Sequence, residues 1–175
     1  MDNTIQLPDL VLLDDFGGDY EKYIQHVYGI FREDFESGKK IFFRGLILKL
    51  KYNPMFQGKA CTFYHMTHEG EDEQDRKPDI RRCERLAWAK PVIENCDRLG
   101  LKVWPQKRKG KNRICIWVEL EGEPDYIVIL EIREKYCLLW TTFILYNSHE
   151  KRKKLKEYTE WLKTQKSLDI NLTTS

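Results

Sequence analysis

Three β-prone runs near the carboxyl end place the tightest constraint on the fold of this chain. The runs span 114–120, 126–132 and 137–146 and are rich in Ile, Val, Leu and aromatic residues. The segments that join them, 121–125 and 133–135, are short and polar, and the first contains Gly122 and Pro124. Such spacings suit antiparallel hairpins. The sequence therefore predicts a β-meander.

Helical periodicity appears on either side of this meander. Asp19 is a suitable N-cap, and apolar residues then recur at three- and four-residue steps up to position 35, before Gly38. A last helix is predicted from a cap at Ser148 to about residue 165, with a strongly basic face opposite its apolar positions. The tail 167–175 is expected to fray.

The middle of the chain predicts two strands, a loop and a helix. Runs 41–50 and 60–66 are β-prone, and the acidic segment 69–75 predicts a surface loop. The pattern at 79–88 indicates a helix that begins after Pro78 and stops at Pro91. The basic segment 106–113 is interpreted as a solvated turn or loop.

Together these elements predict one α+β domain, an antiparallel sheet with amino- and carboxyl-terminal helices. The domain is expected to span 19–166, after an amino-terminal segment 1–18. The chain has 175 residues, enough to bury a core, and its 13% aromatic content excludes a disordered chain. No apolar run approaches the ~18 residues of a membrane span, and residues 1–16 lack a signal peptide's basic flank. We expect a cytoplasmic protein without a membrane partner.

The cysteines argue for a reducing environment. The five are widely spaced and form no CxxC pair, as is typical of buried thiols. We therefore expect no zinc site and no cofactor. No trio of carboxylates shows metal-site spacing, and segment 69–73 lacks the pattern of a calcium loop. This disfavours a magnesium-dependent nuclease.

Charge is distributed unevenly along the chain. Residues 1–75 carry 8 basic and 14 acidic side chains, whereas residues 76–175 carry 22 and 14. Two basic stretches in the second part are candidates for binding a nucleic-acid backbone: Lys107, Arg108, Lys109, Lys111 and Arg113, and then Lys151, Arg152, Lys153 and Lys154. The alternative is that both stretches are solvated surface. We expect RNA as the partner.

The densest cluster of reactive side chains lies between these regions. His65 and His68 fall within four residues; on the predicted strand His65 would point away from Tyr64, and His68 would lie at the strand end. Arg81, Arg82 and Arg85 follow on the predicted helix. The alternatives are buried histidines bonded to the backbone and a solvated helix face on which Glu84 pairs with Arg81.

Histidine and arginine suit metal-independent cleavage of RNA. In that reaction the 2′-hydroxyl attacks the adjacent phosphate, which requires proton transfer and fixed cations around the phosphorane. Histidine can transfer protons near neutral pH, and arginine provides a permanent planar charge. His65 and His68 are the candidates for proton transfer.

Four segments carry a resemblance to a known group: TFYHMTHEG, RKPDIRRCERLAWAKPVIEN, RICIWVELEGEPDYIVILEIR and YCLLWTTFILY. Over about residues 20–165 the chain resembles the phage and mobile-element proteins of the Barnase–EndoU–colicin–RelE group. The resemblance implies a RelE-like fold and a metal-independent RNase or toxin with a cognate antitoxin or inhibitor protein. It implies that His65 is the acid or base, that Arg81, Arg82 and Arg85 bind phosphate, and that Thr141 positions it. No catalytic Glu is identified, and His149 lies beyond the meander.

Three hypotheses follow. The first is a metal-independent endoribonuclease or toxin-type effector that cleaves RNA. The second is a non-catalytic module of the same fold that binds nucleic acid or protein. The third is a partner-binding protein that uses the acidic segment 69–75.

Overall fold

The computed structural model describes residues 4–173, with side chains described as far as Ser167. Within these residues the strands are β1 (Phe42–Phe43), β2 (Leu46–Leu50), β3 (His68–Glu69), β4 (Lys77–Pro78), β5 (Lys102–Arg108), β6 (Lys111–Val118), β7 (Asp125–Ile132) and β8 (Tyr136–Leu145). The helices are α1 (Tyr20–Phe31), α2 (Cys61–Thr67), α3 (Ile80–Glu84), α4 (Ala89–Asn95) and α5 (Ser148–Thr173). The predicted α+β class is confirmed.

Six strands form the central sheet in the order β1-β2-β8-β7-β6-β5, and β3 pairs with β4 separately. All neighbours in the central sheet are antiparallel except β2 and β8. The predicted meander is confirmed as β6, β7 and β8. The turn or loop predicted at 106–113 is confined to Lys109 and Gly110, because β5 and β6 continue up to these two residues. Both turn residues have positive φ, which matches the twist of a two-residue hairpin.

The two strands predicted before the meander need correction. Segment 41–50 is a hairpin rather than one strand, because Arg44 and Gly45 turn the chain with positive φ. Segment 60–66 is a helix, α2, rather than a strand. Nearly every side chain of α2 is buried, its polar ones included, so no exposed polar face marks its helical period.

The helix predicted at 79–88 is divided. The Asp79 side chain caps α3 by accepting hydrogen bonds from the backbone of Arg81 and Arg82. The helix ends at Glu84, and a 3-10 turn leads into α4. Pro91 lies in the first turn of α4 instead of stopping a helix, since a first-turn residue needs no backbone N–H. Pro78 belongs to β4.

The carboxyl-terminal helix is also longer than predicted. Asn147, rather than Ser148, caps α5, because Asn147 Oδ1 accepts a hydrogen bond of 2.8 Å from the backbone of Glu150. The helix continues to Thr173, through most of the tail that the sequence predicts to fray. Residues 174 and 175 of that tail lie outside the described part of the chain.

Each face of the sheet has its own core. Helices α1 to α4 cover one face, where Tyr23, Phe31 and Phe63 are fully buried, and α5 covers the other, where it packs on Trp104 and Trp117. The amino-terminal segment joins the first core: Trp88 Nε1 donates to Pro8 O at 2.8 Å, and Tyr23 Oη donates to Val11 O at 2.9 Å. Within residues 4–173, no helix combines the length and the apolar character that a membrane span requires.

Asp125 connects α5 to the sheet and gives a test of the fold. Its buried carboxylate accepts hydrogen bonds from Trp117 Nε1 (3.1 Å) and Leu120 N (3.2 Å) and pairs with Lys151 Nζ (3.1 Å). We expect Asp125→Ala to lower the free energy of unfolding by about 3 kcal/mol, since it leaves buried donors unpaired. Lys151→Met should cost under about 1 kcal/mol, because that side chain is partly exposed. Urea unfolding would measure both, and equal small losses would contradict the role of Asp125.

Candidate functional site

Helix α2 lies against the edge of β8 at the point where β2 ends. Because β2 pairs only with residues 136–139, the backbone of β8 beyond that point has no strand partner on this side. Side chains of α2 take the strand's place: Thr62 Oγ1 donates to Leu139 O at 3.3 Å, and His65 Nδ1 contacts Trp140 O at 3.1 Å. Thr141 Oγ1 donates back to His65 O at 2.6 Å.

A β-bulge at Trp140 makes this arrangement possible. Ile129 pairs with Thr141 and Leu130 with Leu139, so Trp140 has no partner on β7. Successive carbonyls of a regular strand point in opposite directions, whereas a bulge re-aims one residue. Here both the Leu139 and the Trp140 carbonyls meet α2. The bulge therefore determines where His65 sits.

The contact with Trp140 fixes the tautomer of His65. A carbonyl only accepts hydrogen bonds, so Nδ1 must carry the proton. Burial, reinforced by the positive charge of Arg76, lowers the pKa of His65, and the neutral ring keeps a lone pair on Nε2. That atom lies 3.4 Å from Cys61 Sγ and 3.3 Å from Glu73 Oε1. Burial raises the pKa of the Cys61 thiol, which keeps its proton.

Glu73 reaches His65 from the segment for which the sequence predicts a solvated acidic loop. That segment connects β3 to β4, and Glu73 turns inward from it, with 34% of its side chain exposed. Lys51, which directly follows β2, places Nζ 2.8 Å from the same oxygen, Glu73 Oε1. This hydrogen bond lowers the pKa of Glu73, so its carboxylate is charged at neutral pH.

A pocket of about 380 Å³ opens onto these groups. One wall is apolar and carries Met55 and Phe56, whose side chains are exposed. Arg76 also lines the pocket, and its Nε is buried without a hydrogen-bond partner. Among the described residues Arg76 forms no ion pair. The lining residues are Pro54, Met55, Phe56, Cys61, Tyr64, His65, Glu73, Gln74 and Arg76.

The three arginines predicted to bind phosphate are placed elsewhere. Arg82 pairs with Asp79 at 3.1 Å and donates to the main-chain oxygens of His65 and His68. Arg85 is buried, and two carboxylates hold its guanidinium, those of Glu84 and Glu123. Arg81 is exposed and lies over the ring of Tyr146. Arg82 and Thr141 do meet at His65, but at its backbone carbonyl rather than at its ring.

His68 is separate from the pocket. The Thr67 hydroxyl donates to Phe63 O at 2.7 Å, so Thr67 Oγ1 accepts the 2.8 Å hydrogen bond from His68 Nδ1. Burial, with a smaller contribution from Arg76, lowers the pKa of His68 from 6.5 to about 4. His68 does not line the pocket that contains His65.

The two basic stretches lie on the α5 side of the molecule. Lys107 and Arg108 share a second cavity, of about 600 Å³, with Lys153 and Lys154, although Glu150, Glu157 and Glu160 also line it. Lys109, Lys111 and Arg152 are exposed. Arg113 connects the first stretch to the pocket region, because its guanidinium lies 4.3 Å from the centre of the Trp140 ring and that ring contacts His65.

The sequence does not point to four residues that the structure places near His65: Lys51, Cys61, Glu73 and Arg76. The available signal was the spacing of Cys61 and His65, four residues apart, which brings the two side chains within about 6 Å on a helix but leaves them about 13 Å apart on a strand. Among the described residues, Cys61, His65 and Glu73 are the one set that could offer three ligand atoms to a metal, all within 4.8 Å of one another. In comparisons with known proteins, neither a family model, nor a curated protein, nor a solved structure matches this chain.

The buried His68 predicts a specific loss of stability in acid. The unfolded chain protonates this histidine near pH 6.5 and the folded protein only near pH 4, so stability falls as the pH falls between these values. Over this range the free energy of unfolding of the native protein should fall by up to about 3 kcal/mol more than that of His68→Asn. In this variant an amide N–H can replace Nδ1–H. Urea unfolding at several pH values would measure the difference. Parallel profiles for the two proteins would contradict this role of His68.

Proposed function

We propose that the chain is a metal-independent endoribonuclease that cleaves at the pocket around His65. The observation that carries the proposal is the set of groups around one imidazole: an unprotonated Nε2, a carboxylate 3.3 Å away and an arginine without an ion-pair partner among the described residues. A buried arginine nitrogen without a partner favours an anionic ligand, since such a group is costly unless it is paired. A phosphodiester supplies that anion.

His65 is assigned the role of general base. Nε2 takes the proton of the 2′-hydroxyl as that oxygen attacks phosphorus, and the bond from phosphorus to the 5′-oxygen breaks. The products are a 2′,3′-cyclic phosphate and a 5′-hydroxyl, whose proton comes from water, and His65 returns its own proton to solvent. The charged Glu73 stabilises the imidazolium that forms, while Arg76 stabilises charge on the phosphorane.

The walls of the pocket support a nucleotide rather than a free phosphate. Phe56 and Tyr64 contact each other edge to face, with their ring centres 5.5 Å apart, and Phe56 is 59% exposed. An exposed aromatic ring in a pocket that also contains a cation is a surface on which a base can stack. The exposed lysines of the β5–β6 hairpin extend the positive surface for flanking phosphates, whereas Arg113 pairs with the buried Glu131 at 3.4 Å.

The resemblance to the Barnase–EndoU–colicin–RelE group agrees with this assignment. The fold has a meander with helices before and after it, and Glu73 is a carboxylate that the sequence did not reveal as part of the site. A toxin-type effector of a mobile element, acting on RNA and inhibited by a cognate protein, is the biological role that this resemblance supports.

His65→Asn is the sharpest test, because the asparagine amide can still donate to Trp140 O while Nε2 is removed. We expect its rate of cleaving tRNA or mRNA in EDTA to fall about 100-fold or more, the usual contribution of a general base. Arg76→Gln should lower kcat/KM about tenfold or more, since it removes a charged donor to the phosphate. Arg98→Gln, an exposed arginine outside the pocket, serves as the matched control and should cleave normally.

Cleavage that is equally fast in His65→Asn and the parent would refute the assignment of the base. RNA binding by a parent protein that does not cleave would favour the alternative, a non-catalytic binding module. Activity that appears only with added magnesium would refute the metal-independent reaction.

The basic hairpin gives a second prediction. Replacing its four exposed cations by Gln should weaken RNA binding and reduce the steepness of its salt dependence, by roughly 0.7 in logarithmic slope for each phosphate that the hairpin no longer neutralises. Those cations are Lys107, Arg108, Lys109 and Lys111. A control with the same number of cations removed from the α1 side should keep the slope: Lys22, Arg32, Lys39 and Lys40. Equal slopes in both variants would show that the hairpin does not bind RNA.

A further inference from the structure

Three side chains at the base of the pocket form a triangle with the dimensions of a zinc site. Cys61 Sγ and His65 Nε2 are 3.4 Å apart, His65 Nε2 and Glu73 Oε1 are 3.3 Å apart, and Cys61 Sγ and Glu73 Oε1 are 3.7 Å apart. Tetrahedral Zn²⁺, with bonds of about 2.3 Å to sulfur and about 2.0–2.2 Å to nitrogen and oxygen, separates such ligands by roughly 3.3–3.6 Å. The three side chains thus need only small shifts.

The protein also orients these ligands. Cys61 and His65 lie one turn apart on α2, and Glu73 approaches from the β3–β4 connection. The hydrogen bond from His65 Nδ1 to Trp140 O points Nε2 at the other two ligands, as outer contacts of metal-bound histidines do. The fourth position of a tetrahedral ion would face the pocket, where water or an added ligand can bind.

Lys51 is the group that opposes a cation most directly. Its Nζ lies 2.8 Å from Glu73 Oε1, the same oxygen that completes the triangle. Zn²⁺ must displace the ammonium from that oxygen, after which Glu73 Oε2 is still available to Lys51. A thiolate and a carboxylate together balance the two charges of the ion, so a bound metal weakens the attraction that now holds Lys51 at Glu73.

We propose that Cys61, His65 and Glu73 bind one Zn²⁺ and that this ion inhibits the reaction at the pocket. In binding, the Cys61 S–H bond breaks, sulfur bonds to zinc, and the proton leaves to solvent. The inhibitory part rests on the proposed function, because zinc occupies the Nε2 lone pair that the reaction needs. The binding site itself does not depend on it.

Zinc binding is tested first, without RNA, on the full chain stripped with chelator and kept reduced. Titration calorimetry should give one Zn²⁺ per chain, and Co²⁺ should give a thiolate-to-cobalt charge-transfer band with intense tetrahedral d–d bands. Cys61→Ser should abolish the charge-transfer band. Glu73→Gln, which changes a loop residue and leaves the core intact, should weaken binding about 100-fold or more. Lys51→Met should bind zinc more tightly than the parent.

Cys96→Ser is the matched control, since Cys96 is a buried thiol remote from the pocket that donates to Ile93 O. Its zinc affinity should equal that of the parent. Absence of saturable binding, or binding unaffected by both Cys61→Ser and Glu73→Gln, would overturn the site.

Inhibition is tested separately from binding. Zinc should suppress RNA cleavage by the parent at concentrations that match its affinity, and Cys61→Ser should be less sensitive, relative to its own zinc-free rate. A chain that binds zinc through these ligands but never cleaves RNA refutes the ribonuclease and retains the site. A chain that cleaves RNA and binds no zinc refutes the site and retains the ribonuclease.

Discussion

The unpaired edge of β8 is the constraint on which the rest of the site depends. Where β2 ends, β8 still presents backbone carbonyls that must find donors, because a buried polar group without a partner costs free energy. The chain meets this requirement with a helix rather than another strand. Thr62 and His65 of α2 supply the donors, and this brings a histidine to the sheet edge in one defined orientation.

The same requirement explains why Arg82 and Thr141 converge on His65 without contacting its ring. Both donate to the His65 carbonyl, and Arg82 also holds the His68 carbonyl at the end of α2. They fix the helix that carries the imidazole, and they are therefore positioning residues. The His, Arg and Thr residues that the sequence suggests as one catalytic cluster therefore have different positions. Arg82 and Thr141 bond to the backbone of α2, whereas the ring of His65 faces the pocket.

The meander could be predicted because its determinants are local: each strand is a β-prone run, and short turns join strands that follow one another in the sequence. The α2 helix could not, because Phe63, Met66 and Thr67 are buried together with His65, and such a segment lacks the polar face that separates helix from strand. A strand at this position would keep Cys61 and His65 on one face but separate them by about 13 Å, too far to act together. Glu73 could not be predicted for another reason: Lys51 is 22 residues away and His65 belongs to a different element, so no periodic pattern within one element records either contact.

Glu73 determines which kind of ion the pocket can hold. In the present arrangement Lys51 and Glu73 neutralise each other, so Arg76 is left as the unbalanced charge and the pocket favours an anion. If Glu73 turns its oxygen wholly toward Cys61 and His65, the same pocket offers a site for a divalent cation. Both ions need the Nε2 side of one imidazole, and they cannot occupy it together. If the proposed RNA cleavage and the proposed zinc site both hold, the phosphodiester and the metal compete for His65, because both use Nε2.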